Sequence, residues 1–206
     1  MDQEFNSESP VNSRSNWQIS QQQNLRQDSK NFLKELSAAE VLIRSKRIAQ
    51  NLKGLLREKT KICGIFRAMK SEPQIHTLAD EADLHVQFAY PHIEEENQTA
   101  MNFYFAKRMK KSHLGFLVPD LTDEETNLAS IDTVVIPGLV FHSSGIRIGR
   151  GGGFYDRFLS NFQGIRIGVC FEEQVLIDPW DLHSWDEKIH YVVTEDRVID
   201  CQRAGE

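Results

Sequence analysis

The sequence is poor in cysteine, lacks an excess of positive charge and contains no long apolar run, and each absence excludes a class of protein. Its three cysteines, Cys63, Cys170 and Cys201, lie far apart and form neither a disulfide framework nor a metal-binding spacing. The net charge of −6 argues against a general attraction to nucleic acid. No uninterrupted apolar stretch approaches the roughly 20 residues of a membrane-spanning helix. We therefore expect a cytoplasmic protein with neither nucleic acid nor membrane among its partners.

The N-terminus also has few apolar residues. It opens with polar and acidic side chains, unlike a signal peptide, and residues 1–16 are predicted to form a disordered tail. The chain has 206 residues and a hydrophobic content of 40%, which is enough for one large domain with a real core. We predict that residues 17–206 form that domain. Cys63 and Cys170 lie within apolar, strand-like runs, so buried core cysteine is favoured over a lone nucleophile.

The most informative stretch is a glycine-rich loop with four glycines in the five positions from Gly149 to Gly153. A β-branched run at 131–140 precedes it and predicts a buried strand, and a helix pattern begins at Phe154. This order is the general layout of a phosphate site, to which Arg147 and Arg150 add permanent charge. The loop fits neither common nucleotide fingerprint, since Phe154 replaces a required glycine and no Gly-Lys-Ser/Thr is present. The alternative is a flexible turn with solvated arginines.

Elsewhere, helical and strand patterns alternate, which predicts an α/β fold with a parallel or mixed central sheet. The capping box Ser37-Ala38-Ala39-Glu40 predicts the start of a helix. Helices are predicted at 21–36, from Ser37 through Leu55, and at 75–82, and strands at 62–66, 84–90, 101–106, 131–140, 165–171 and 190–194.

Two charged runs leave alternatives open. Glu94 to Glu96 could suggest a metal site, but three consecutive carboxylates converge poorly on one ion, so a solvated turn is favoured. Residues 107–111 carry four basic side chains around Met109. That segment is either an anion-binding patch or a solvated hairpin tip.

The runs Val135–Phe141 and Gly145–Leu159, with Tyr155-Asp156-Arg157 at the end of the glycine loop, closely resemble the signature of the 5-formyltetrahydrofolate cyclo-ligase family. With weaker matches, the resemblance covers roughly residues 22–195. It implies a three-layer α/β sandwich, a monomer or weak dimer, and ATP and Mg²⁺ as co-substrate and cofactor. The implied reaction converts 5-formyltetrahydrofolate and ATP to 5,10-methenyltetrahydrofolate, ADP and phosphate, through phosphorylation of the formyl oxygen.

The resemblance also implies roles for individual residues. Arg150 and Tyr155 are the expected catalytic residues. Asp156 and Asp186 are expected to hold Mg²⁺, although Asp156 weighed alone would be a helix-start aspartate. The residues expected at the folate are Arg67, Glu72, Arg150 and Phe154. Those expected at ATP are Gln22, Arg26, Arg147, Ile148, Gly149, Arg150, Gly151, Gly152, Gly153, Phe154 and Tyr155.

Several positions depart from the family pattern. Gln22 stands where the family has a phosphate-binding lysine, Arg67 replaces an apolar residue, and His142 replaces an aspartate. Trp185 replaces the histidine that many members have before the metal-binding aspartate. Two alternatives therefore stay open: a diverged member that binds nucleotide or folate without efficient turnover, and another ATP-dependent enzyme of small molecules on the same scaffold.

Overall fold

The computed structural model describes residues 16–81, 84–93, 100–112, 115, 117–124, 127–177 and 187–203. The predicted tail, the Glu94–Glu96 run and Asp186 therefore lie outside the described residues, apart from Asn16, which begins the first helix. The α-helices are α1 (Asn16–Glu35), α2 (Ala38–Lys59) and α3 (Phe154–Leu159). The strands are β1 (Ile62–Gly64), β2 (Gln87–Ile93), β3 (Met101–Phe105), β4 (Met109–Lys111), β5 (Leu117–Pro119), β6 (Asn127–Leu128), β7 (Thr133–Pro137), β8 (Val140–His142), β9 (Arg147–Ile148), β10 (Ile165–Val169), β11 (Val175–Leu176), β12 (Tyr191–Val193) and β13 (Val198–Asp200).

The main sheet is mixed and has the strand order β13-β12-β10-β7-β1-β2-β3-β6. Its centre, from β12 to β2, is parallel, and the outer strands β13, β3 and β6 pair antiparallel. Two smaller sheets, β11-β8-β9 and β4-β5, lie beside it. In parallel α/β sheets, ligands bind beyond the carboxyl ends of the strands, so the connections that leave β1 and β7 are the ones that matter for a site.

The core is divided between the two faces of the sheet, which gives three layers. On β7, Val135 packs in the cluster that contains α2 residues Ile48 and Leu52. Its neighbours Val134 and Ile136 pack in the opposite cluster with Leu159 of α3. This alternation follows from the two-residue period of a strand, and every residue of the Val134–Ile136 run is fully buried. The predicted α/β architecture with a mixed sheet is confirmed.

Three elements differ from their predictions. The 131–140 run forms two strands, because the chain turns at Pro137-Gly138 between β7 and β8. β2 continues through Pro91 rather than ending there, since β1 pairs with β2 only as far as Ala89 and leaves that edge free beyond it. The predicted helix at 75–82 is a 3₁₀ helix over Ile75–Asp80, whose buried Ile75 and Leu78 share one face at the spacing of three residues per turn.

The capping box at the start of α2 is present as predicted, with Ser37 and Glu40 bonding each other's backbone N–H groups. All three cysteines are buried and free. Burial raises the pKa of Cys63 and Cys170 well above the usual value, and that of Cys201 to about 11. A thiol must ionise to act as a nucleophile, so a core role for Cys63 and Cys170 is supported. In the described part of the chain, no helix combines the length and apolarity needed to cross a membrane.

Candidate functional site at the glycine loop

The glycine loop leaves β9 and enters α3, beside the carboxyl end of β7. Gly151 has φ +105° and Gly153 has φ +67°, and L-residues with side chains rarely adopt such values. A Cβ atom on Gly151 would meet no atom within 4 Å, so the loop presents open backbone at this point. The local sequence thus leaves the main chain at Gly151 open to close approach by an anion.

Arg147 lies behind this loop and is nearly buried. Its Nη2 donates to Oδ1 of Asp156 at 2.5 Å, and its Nη1 lies 3.4 Å from the Pro137 carbonyl oxygen. Its guanidinium also sits 5.7 Å from the centre of the Tyr155 ring. Burial raises the pKa of the Tyr155 phenol, the Arg147 charge lowers it and the Glu72 charge raises it. Tyr155 therefore remains a neutral phenol that can donate a hydrogen bond.

Arg150 reaches across the site to Glu72, which lies in the connection after β1. The Arg150 Nε and Nη2 atoms lie 3.0 and 2.7 Å from Oε1 of Glu72. The other oxygen of this buried carboxylate accepts from the Met69 N–H at 2.8 Å. The pair joins the residues expected at the folate to those expected at ATP, although they are 78 positions apart.

The first helix also reaches the loop. Ser29 is buried and donates to the Leu139 carbonyl at 2.5 Å, which fixes α1 against the turn after β7. One turn earlier, Arg26 Nε donates to the Gly149 carbonyl at 3.1 Å, and its Nη2 lies 3.4 Å from Oε1 of Gln22. Gln22, Arg26 and Ser29 share one helix face because they are spaced by four and three residues.

Arg157 is a site residue that the residue-by-residue predictions missed. Its Nη2 donates to the Gly152 carbonyl at 3.1 Å, and its guanidinium lies 5.2 Å from the centre of the Phe154 ring. Together with Arg26 at Gly149, it holds loop carbonyls and so restricts the directions in which loop N–H groups point. The sequence signal that could have indicated Arg157 is its place directly after Asp156 in the family signature.

The remaining predicted residues are less central. Ile148 packs its buried side chain into the core, so only its main chain could face a ligand. His142 is buried at the end of β8 and accepts the Ser144 N–H at Nδ1, a bond that closes the turn between β8 and β9. Arg67 stacks 5.3 Å from the centre of the Tyr90 ring, on the β2 side of Glu72. Asp186 lies outside the described residues.

Of the two predicted Mg²⁺ ligands, Asp156 lies within the described residues, and its position suits the ion. Asp156 is exposed beside the loop, and Mg²⁺ typically takes one or two carboxylates and completes its shell with phosphate and water. No group of three or more potential ligands occurs among the described residues. A single aspartate suits an ion bound mainly through a nucleotide rather than a resident structural metal.

A separate cavity of about 570 Å³ includes no residue predicted for the site. Arg166, Glu187 and His190 are among its lining residues. The Arg166 side chain is used internally, with bonds to Glu187 and to the carbonyls of Leu159 and Phe162. The glycine loop, with its converging charged side chains, is the better candidate for chemistry.

Comparison with known proteins agrees with this geometry. The model of the 5-formyltetrahydrofolate cyclo-ligase family matches residues 18–195. The chain is similar to a probable 5-formyltetrahydrofolate cyclo-ligase of Schizosaccharomyces pombe, with 29% identity over 93 residues, or 38% of this chain and 43% of that protein. It is 35% identical over 74 residues to the Escherichia coli K12 5-formyltetrahydrofolate cyclo-ligase, covering 34% and 40%. The matched segments thus span less than half the length of these curated relatives.

Solved structures extend the likeness to nearly the whole chain. The 5,10-methenyltetrahydrofolate synthetase of Aquifex aeolicus superposes with a TM-score of 0.74 at 24% identity, covering 88% of this chain and 93% of that one. The corresponding Mycoplasma pneumoniae protein has a TM-score of 0.65 at 22% identity, covering 84% and 98%. At these identities the likeness shows a shared fold.

Proposed function

The chain belongs to the 5-formyltetrahydrofolate cyclo-ligase family, and from this premise we propose that it converts 5-formyltetrahydrofolate to 5,10-methenyltetrahydrofolate with consumption of ATP. The family implies ATP as the co-substrate. The observation that carries the proposal is the Arg150–Glu72 pair, which joins the glycine loop to a buried carboxylate beyond β1. The loop proposed to bind phosphate and the carboxylate proposed to accept from folate N–H groups are thus in contact.

The reaction explains why such a site needs no nucleophilic side chain. An N-formyl carbon is a poor electrophile, and its oxygen is a very poor leaving group. Attack of that oxygen on the γ-phosphorus breaks the bond to ADP and yields an O-phosphorylated formyl group that stays bonded to N5, whose lone pair forms an iminium. N10 of the folate then attacks the formyl carbon, the C–O bond to phosphate breaks, and the N10 proton is lost. The protein must position two substrates and neutralise phosphate charge.

The described residues can supply those functions. Arg147 and Arg150 provide fixed positive charge, and the backbone at Gly151 offers close approach to the phosphates, whereas the Phe154 ring lies against Gly152. Tyr155 offers a hydroxyl that stays protonated. Asp156, with Asp186 from outside the described residues, would hold Mg²⁺, which neutralises charge on the transferring phosphoryl group. In this proposal, binding of the substrates replaces two ion pairs with substrate contacts: Arg147–Asp156 and Arg150–Glu72.

The second candidate is a diverged binder without efficient turnover. It is favoured by Gln22, where the family has a cation, and by Arg26, which bonds to the Gly149 carbonyl. A spectrophotometric assay decides between the two. Methenyltetrahydrofolate absorbance should grow from 5-formyltetrahydrofolate only when ATP and Mg²⁺ are both present. Binding of ATP and folate by calorimetry without any growth of absorbance would establish the binder instead.

Substitution of Gln22 tests whether α1 contributes to ATP binding. We expect Gln22→Lys to strengthen ATP binding about three- to tenfold at low salt, because it adds a charge one turn from the Arg26–Gly149 contact. The gain should shrink as salt rises. Gln27→Lys adds the same charge at an exposed position of the same helix and is the matched control. Equal effects of the two variants in calorimetric titrations would remove α1 from the ATP site.

Glu72 provides a second test, directed at the folate. We expect Glu72→Gln to raise the KM for 5-formyltetrahydrofolate at least tenfold, since a charge-assisted hydrogen bond contributes about 1.5–3 kcal/mol. Glu81→Gln, which removes a carboxylate paired with Lys53 away from the loop, is the control and should leave KM unchanged. A Glu72→Gln enzyme with ordinary KM for folate would mean that Glu72 only anchors Arg150.

The remaining parts of the proposal are a cytoplasmic location and a monomer or weak dimer. Free buried cysteines are typical of reducing compartments, which supports the location.

A further inference from the structure

Arg67 and His76 form a second polar position near the candidate site, on the same connection after β1 that carries Glu72. Arg67 follows β1 by three residues, and its guanidinium stacks over Tyr90 of β2, which is buried. His76 lies in the 3₁₀ helix that follows the same connection. Burial lowers the pKa of His76 and raises that of Tyr90, and in both cases the Arg67 charge acts to lower the pKa, so the three side chains are neighbours.

This position has hydrogen-bonding capacity that the described residues leave unused. Arg67 Nε and His76 Nδ1 are both shielded from solvent, and neither has a hydrogen-bond partner in the part of the chain that the structure describes. The charge of Asp80 reaches His76 and Tyr90, but within the same ranges no carboxylate forms an ion pair with Arg67. An N–H group that is shielded from water and makes no hydrogen bond is unfavourable, and an anion bound at this position would satisfy both the Arg67 Nε–H and the Arg67 charge.

The order of charged groups along the sheet edge suggests which anion. The glycine loop lies at β7, the Arg150–Glu72 pair lies beside β1, and Arg67 lies over β2. Next to β2 in space lies the hairpin β4–β5. Its strand β5 contacts β2, and its Met109 packs on the hydrophobic cluster that contains Tyr90. This hairpin carries the basic segment 107–111, of which Lys111 is exposed. Arg108 and Lys110 of this segment lie near Asp123 and Asp120, so it is at the exposed Lys111 that positive charge continues beyond Arg67.

Building on the proposed function, we propose that Arg67 and His76 bind a carboxylate of the glutamyl part of 5-formyltetrahydrofolate. The reacting formyl group must lie at the phosphate loop, and the fixed negative charges of this substrate are at its other end. Arg67 supplies a planar, permanently charged donor group that matches a carboxylate, and His76 adds a neutral hydrogen bond. Arg67 is thus a specificity-determining residue of this chain, at a position where the family pattern is apolar.

The test compares two ligands by calorimetry without ATP: 5-formyltetrahydrofolate and 5-formyltetrahydropteroate, which lacks the glutamyl group. Wild type should bind the folate at least tenfold more tightly than the pteroate. Arg67→Leu should remove most of that difference by weakening only folate binding, and Arg67→Lys should retain part of it. His76→Leu should have a smaller effect of the same kind. Lys70→Leu, which removes an exposed charge from the same connection, should preserve the difference.

Each contrary outcome overturns the inference in a distinct way. Equal weakening of both ligands by Arg67→Leu would place Arg67 at the pterin or benzoyl part. Unchanged binding with a lowered kcat would place it at the phosphorylated intermediate. Unchanged binding and kcat would remove Arg67 from the site. Failure of wild type to bind either ligand would overturn the proposed function itself, and this inference with it.

Discussion

Gly151→Ala is expected to weaken ATP binding at least tenfold while the protein stays folded. Gly151 has φ +105°, a conformation that costs a residue with a side chain roughly 1–3 kcal/mol. The added methyl would also project into the open space beside the loop, where the proposal places the phosphates. Calorimetric titration with ATP, with thermal unfolding measured in parallel, checks both parts of this expectation.

Gly54→Ala is the matched control for this substitution. Gly54 lies in α2, and a Cβ atom there would meet no atom within 4 Å. Alanine in a helix is favoured over glycine by about 1 kcal/mol, so this variant should be slightly more stable and bind ATP normally. Unchanged ATP affinity in Gly151→Ala would contradict the assignment of the loop as a phosphate site and leave it as a structural turn.

Asp156→Asn is expected to lower kcat by about two orders of magnitude or more. Asp156 is the exposed carboxylate beside the glycine loop, and its charge partner within the described residues is Arg147. The amide keeps the size of the side chain but removes the charge proposed to hold Mg²⁺ in register with the phosphates. Folate binding should survive, because the folate contacts are proposed at Glu72 and Arg67. Excess Mg²⁺ should recover part of the rate.

Two controls separate this effect from a general loss of charge. Asp28→Asn removes an exposed aspartate from α1 and should leave kcat unchanged. Thermal unfolding of Asp156→Asn reports the structural cost of breaking its bond to the nearly buried Arg147, so that a loss of stability can be told from a loss of rate. Steady-state rates at several Mg²⁺ concentrations complete the test. A wild-type rate in Asp156→Asn would mean that this residue serves only the start of α3 and Arg147.

The Arg147 and Arg150 pairs explain how a site rich in arginine remains stable without its substrates. Arg147 is nearly buried and is held by Asp156 and the Pro137 carbonyl, whereas Arg150 is held by the buried Glu72. An isolated buried charge would be costly, and each carboxylate offsets that cost until phosphate arrives. The same carboxylates are the ones proposed for metal and folate. Ligand binding would then exchange one set of charge contacts for another.

The sequence by itself determined the local features of this protein. Glycines at 149–153, the β-branched run before them and the capping box at Ser37 each act over a few residues, so their consequences could be predicted from spacing and backbone chemistry. The burial of Cys63 and Cys170 followed in the same way from the apolar runs around them. The signature around the loop also identified the family, which the match over residues 18–195 confirms.

Only the tertiary structure decided which distant side chains meet at the loop. Glu72 reaches Arg150 across 78 positions because β1 and β7 are parallel neighbours whose following connections lie at the same edge of the sheet. Arg26 reaches Gly149 across 123 positions because Ser29 bonds α1 to the turn after β7. Spacing along the chain carries no information about that adjacency. The tertiary structure was also needed to show that the buried Nε of Arg67 has no hydrogen-bond partner among the described residues. Whether a buried group is satisfied depends on all its neighbours in space, here including Tyr90 and His76.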